Sequence, residues 1–166
     1  MFNNFGQYNN IFPLLNPVDL GSTATNMPSV ALKGAHRIAF LVLTGVTTPN
    51  ACADIVDITV VAATAEGAVA QTAVPFQYRK STGVAANAWG AVTTATATGV
   101  ELTDDDEGFA VWIEVDCDTL AAGDYTHLHL NLEQNAFTVF FASAVAFIDT
   151  RYKMATMATA TACASS

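Results

Sequence analysis

His127-Leu128-His129 is the one spacing in this sequence that could hold a metal ion, because residues i and i+2 of a strand point to the same face. Zinc would need one or two further ligands, and no other motif designates them; the plainer reading is a polar strand face beside an interface. Glu101, Asp104, Asp105, Asp106, Glu107, Glu114, Asp116 and Asp118 place eight of the fifteen acids in one stretch. Asp104 to Glu107, followed by Gly108, offers the hard oxygen atoms that calcium takes, but without the spacing of an EF-hand. An acidic tetrad ahead of a strand reads equally as a solvated hairpin turn. Glu114 and Asp116 share a strand face, whereas glycoside hydrolysis needs two carboxylates held across a cleft, and Trp112 is the only aromatic platform close by in sequence.

Nucleophile elbows, zinc-protease helices, phosphate loops and dinucleotide fingerprints are all absent from the sequence. A Ser-His-Asp arrangement would have to rest on His36, His127 or His129, none in a recognisable context. The expectation is a protein that is not an enzyme and carries no cofactor or metal. Arg37, Arg79 and Arg151 stand beside His36, Tyr78 and Tyr152 at strand ends, where they would pair with carboxylates inside the domain or across subunits, or form weak surface bridges. Cys52, Cys117 and Cys163 are odd in number and lack a C-x-x-C, which argues against a disulfide framework; they read as small hydrophobes, with Cys163 free to react in a tail.

Only 13% of the residues are charged, about half the usual share, while 52% are hydrophobic, so part of the surface must be apolar and covered by something else. A net charge of -9 with only 6 Lys and Arg argues against direct binding to nucleic acid. The sequence has no apolar run long enough to cross a membrane and no Lys or Arg near its start, so neither a membrane partner nor a secretory leader is expected.

The elements that would position these residues are strands. Short runs rich in Val, Ile, Thr and aromatics, punctuated by Gly, Pro and Asn, predict strands over Ile38 to Leu43, Ile55 to Ala62, Val74 to Lys80, Ala88 to Thr98, Phe109 to Asp116, Tyr125 to Glu133 and Phe137 to Ile148. Alanine is the best helix former, but here it alternates with Thr and Val, which suit pleated surfaces. The predicted fold is all-β: an antiparallel β-sandwich, jelly-roll or Greek-key like, with about seven to eight strands. Residues 1–29 read as an extended N-terminal arm, 30–152 as the sandwich domain and 153–166 as a C-terminal tail of low complexity.

The last strand alternates Val139, Phe141, Ser143, Val145 and Phe147 with Phe140, Ala142, Ala144, Ala146 and Ile148, so both of its faces are apolar. A half-solvated strand would carry a polar face. One face should therefore meet the core and the other an arm or a neighbouring subunit, which implies oligomerisation.

In their order, Val30 to His36 leading into an apolar strand, Pro75 to Ser81, Asn87 to Gly90 followed by Thr93 to Ala97, Ile113 to Asp116, and Arg151-Tyr152 resemble the decoration, or cement, proteins of tailed-bacteriophage capsids, over roughly residues 19–157. The resemblance implies a virion structural protein, made in the host cytoplasm, that sits on the outer capsid surface and bridges neighbouring major capsid subunits. Its partners would be the major capsid protein and other copies of itself, as a trimer. Contacts are then expected at Phe2, Phe5, Tyr8, Phe12, Phe140, Phe141, Arg151 and Tyr152. The aromatic arm and the Asp104 to Glu107 turn depart from the family pattern. A neck or tail component, or a glycan-binding β-sandwich, are the competing classes.

Overall fold

A computed structural model describes residues 9–20, 25–48, 56–66, 71–84, 87–106, 108–121, 123–134 and 139–150. Among them, one sheet contains β1 (Asn9–Asp19), β4 (Ala35–Thr48), β7 (Phe76–Lys80), β8 (Thr93–Ala95), β10 (Ala110–Asp116) and β12 (Val139–Thr150), in the order β1-β12-β4-β10-β7-β8. The second sheet is built on β5 (Val56–Ala63) and β11 (His127–Gln134). β2 (Thr25–Asn26) and β3 (Val30–Ala31) line the outer edge of β11, while β6 (Gln71–Ala73) and β9 (Val100–Leu102) line that of β5. A single turn of 3-10 helix spans Asp104–Asp106, and a five-residue helix, α1 (Cys117–Ala121), follows β10.

All the pairings are antiparallel, and they nest. β1 pairs with β12, β2 and β3 with β11, β4 with β10, and β5 with β9. This is one long hairpin rolled up on itself, with β12 against β4 and β11 against β5 closing the two sheets: a jelly-roll sandwich. The β6 to β8 segment is an excursion between β5 and β9, and it adds the β7-β8 hairpin to the first sheet beyond β10.

Period-2 alternation builds the core. Leu128, Leu130 and Leu132 of β11, with Ile58 and Val60 of β5, face Ile38, Phe40 and Val42 of β4 and Val111 and Ile113 of β10, all fully buried. Each such side chain contributes about 1.5 to 3 kcal/mol relative to exposure. On β12 the small face points inward: Ala146 lies in register between Phe12 of β1 and Phe40 of β4, so two rings flank one methyl group and large alternates with small.

The described part of the N-terminal segment is extended, and it pairs and packs with the sandwich. β1 runs along β12, Leu14, Leu20 and Met27 are core residues, and the Leu20 amide donates to the Phe140 carbonyl at 3.0 Å. Pro13 and Pro17 obscure this strand in the sequence. They are tolerated because an edge strand needs donors only on its paired side, and the register shifts between Pro13 and Leu15 and between Leu15 and Val18.

The strand count exceeds the expected seven to eight because β2, β3, β6, β8 and β9 are only two or three residues long. In the predicted strand from Ala88 to Thr98, only Thr93–Ala95 pairs as a strand, since that segment buries little besides Ala95. α1 lacks the apolar period of a predictable helix. Asp116 starts it, with Oδ1 accepting the Asp118 amide at 2.9 Å.

Candidate functional site: the outer face of the first sheet

The two outer faces of the sandwich differ. On the second sheet, β5 and β11 present Asp57, Thr59, Val61, His127, Asn131 and Glu133, a predominantly polar set. On the first sheet, cross-strand register assembles apolar rows. Pro13, Val145, Leu41 and Trp112 form one across β1, β12, β4 and β10, and Ile11, Phe147 and Ala39 form the next. Ile11, Leu43 and Phe141 are 42%, 45% and 46% exposed. Gly45 makes room for Phe141 at the register shift beside it, because a Cβ at Gly45 would lie 2.8 Å from the Phe141 Cβ.

Towards β7 and β8 the face turns polar. The Trp112 and Phe147 ring centroids lie 5.3 Å apart, and the Trp112 indole N–H donates to Glu114 Oε1 at 2.7 Å. Glu114 Oε2 accepts from Arg37 at 3.3 Å, so both carboxylate oxygens are held. Arg79, in register with Trp112, stacks its guanidinium 5.1 Å from the Trp89 ring centre, a cation–π contact. A cleft of about 520 Å³ opens beside Glu114 and is lined by Arg37, Gln77, Thr94 and Asp116. A smaller one, of about 130 Å³, lies between Trp112, Arg79 and Gln77.

The other candidate residues are dispersed. His127 and His129 share a face as expected, yet His129 is only 1% exposed, with its Nδ1 3.4 Å from the Met27 carbonyl. Burial pushes its pKa down. His127 Nδ1 lies 2.8 Å from Thr126 Oγ1, and His36 Nδ1 3.3 Å from Asp118. Among the described residues no group of three or more His, Cys, Asp or Glu is placed to hold a metal ion. Within the acidic tetrad, Asp106 turns inward to Lys80, at 2.6 Å. Glu114 and Asp116 do share a face, but side by side on one strand instead of across a cleft. Cys117 is buried, and burial, helped by the neighbouring Asp116 charge, pushes its thiol pKa up to about 12, so it behaves as a small hydrophobe. No helix among the described residues is long and apolar enough to cross a membrane.

Of the expected contact residues, Phe141 points outward. Phe140, 1% exposed, belongs to the core instead of a contact surface, because it alternates with Phe141 along β12. Phe12 also packs inward, half-buried against the core, for the same reason on β1. Phe2, Phe5, Tyr8, Arg151 and Tyr152, like the tail from residue 153, lie outside the described residues. Sequence reasoning missed Ile11, Leu41 and Leu43. The signal for the last two was present, since the run Ile38 to Leu43 is apolar on both of its faces.

No protein-family profile, curated protein or solved structure matches the chain.

Proposed function

We propose that this protein is a virion structural protein that decorates the capsid of a tailed bacteriophage, bridging neighbouring major capsid subunits as a cement protein. The observation that carries the reading is the contrast between the two outer faces: apolar on β1, β12 and β4, largely polar on β5 and β11. An apolar sheet face on a chain this poor in charge is a surface to be covered, and a polar opposite face suits a protein with one side on a shell and the other in water. In an oligomer this face is presented several times, and multivalency then adds strength without new contact types. In this reading the protein works as a homo-oligomer, a trimer, on the outer surface of the virion, and its partner is the major capsid protein.

The test is co-sedimentation with capsids of the phage that encodes the chain, followed by localisation in cryo-EM maps. Wild type should pellet with the shells and appear as outer density. Phe141→Asp, at an exposed position, should keep the β-sheet circular dichroism spectrum while losing at least about tenfold in affinity, since it puts a charge into an apolar contact. Equal binding by that variant, or no binding by wild type, would overturn the reading. Assembly of the pure protein into rings or tubes would point instead to a neck or tail component.

A further inference from the structure

The polar half of the same outer face has a chemistry of its own. Glu114, Gln77 and Thr94 stand in one cross-strand row over β10, β7 and β8, placing a carboxylate, a carboxamide and a hydroxyl side by side at the strand spacing of about 4.8 Å. Arg37 closes one end of the row through its bond to Glu114. Trp112, one row on, is held by Glu114 through its indole N–H and by Phe147 through its ring, and it lines the smaller cleft. The smaller cleft continues past Gln77 between Trp112 and Arg79.

We propose that these two adjoining clefts, which share Gln77 and Glu114, bind a neutral oligosaccharide, with Trp112 as the aromatic wall of the smaller and Glu114, Arg37, Gln77 and Thr94 as the hydroxyl-reading groups of the larger. Sugar hydroxyls donate and accept at once, and the row supplies both roles: carboxylate acceptor, guanidinium donor, and carboxamide and hydroxyl that do either. Apolar wall and convergent polar groups together are the make-up of a small-ligand site. Charge gives anions no advantage, because Glu114 and Asp116 balance Arg37 and Arg79 across the two clefts and the chain carries -9 overall. The carboxylate is already aimed, with both oxygens held from the protein side, so binding spends little on ordering it. The proposal invokes no calcium, since among the described residues no group of three or more His, Cys, Asp or Glu is placed to hold a metal ion. The inference does not rest on the capsid reading: apart from Arg37 of β4, the polar groups named here come from β10, β7 and β8, whereas the exposed apolar residues Ile11, Leu43 and Phe141 lie on β1, β4 and β12.

The experiment is to probe arrays of neutral gluco-, manno-, galacto- and xylo-oligosaccharides with the full chain. Titration of the best binder, watched through the indole N–H resonances, gives the affinity. The Trp112 resonance should shift, EDTA should change nothing, and Gln77→Ala should weaken binding about fivefold, as for one lost neutral hydrogen bond. Glu114→Gln should cost more than about tenfold, and Glu133→Gln, on the opposite sheet, nothing. Circular dichroism verifies the fold of each variant. The proposal is overturned if no neutral oligosaccharide moves the Trp112 resonance at about 10 mM, if both cleft variants bind like wild type, or if a lysine-rich peptide binds the cleft in place of sugars.

Discussion

Lys80 Nζ lies 2.6 Å from Asp106 Oδ2, tying the end of β7 to the turn that precedes β10. The same oxygen accepts the Thr103 amide at 3.1 Å, while the Asp106 carbonyl accepts the Thr44 hydroxyl at 2.8 Å. One acid thus fixes three elements. Its side chain is 10% exposed and that of lysine 28%, so the pair is shielded far more than a surface bridge. Lys80→Met keeps the stem and strands the carboxylate, which should cost roughly 2 kcal/mol, between the values for a lost surface and a fully buried pair. Urea denaturation checks it; an unchanged midpoint would mean that water replaces the ammonium without loss.

Burial makes His129 sensitive to acid. Its Nε2 has no hydrogen-bond partner among the described residues. Its pKa is lowered, first by desolvation and also by His127, against the raising effect of the Met27 carbonyl. The neutral form is therefore the folded form. The unfolded chain binds the proton more readily, so this group's contribution is present above the unfolded value of about 6.5 and falls away as the pH drops through it. Between neutral pH and pH about 5, wild type should lose stability more steeply than His129→Leu in parallel urea titrations. Parallel slopes would show that the imidazole protonates without penalty.

The β-sandwich was legible in the sequence where β-branched, aromatic and small apolar residues run together between turn residues, as in Val56 to Ala63 and Val139 to Thr150. β1 was not, because Pro13 and Pro17 interrupt its pattern and only the edge position on β12 makes them tolerable. The same holds for the site. The double-faced character of β12 announced an outer apolar surface, but which of its faces turns outward depends on the packing of Ala142, Ala144 and Ala146 against larger neighbours. Trp112 meets Phe147 only through β4, which lies between their strands, and Lys80 meets Asp106 across 26 residues, so neither contact has a local signal.

Gly99 carries the turn that brings β9 back onto β5. Its φ of +90° is a region that side chains avoid, and a Cβ there would lie 2.3 Å from the Ile58 carbonyl oxygen. That obstacle is backbone within a paired strand, so relief means moving β5 or lifting β9. Gly99→Ala should destabilise by about 1 to 3 kcal/mol or more, read as a lower thermal midpoint. Wild-type stability in the variant would mean that the turn has another conformation open to it.

On the outer face of the second sheet, Glu133, Asp57 and Glu101 stand in register across β11, β5 and β9. Like charges directly opposite one another are unfavourable, and a chain of net charge -9 with 6 cations has few to spare for relief. Glu133 and Glu101 are exposed flanks, whereas Asp57 is half-buried and has interactions of its own, so the flanks are the positions to neutralise. Glu133→Gln and Glu101→Gln should each raise stability by roughly 0.2 to 1 kcal/mol at low ionic strength. The gain should shrink towards zero near 1 M salt, where the screening length falls to about 3 Å. Urea midpoints at both salt concentrations check this: a gain that survives in high salt would trace to propensity or packing, and a loss would mean that the carboxylates hold partners worth more than their mutual repulsion.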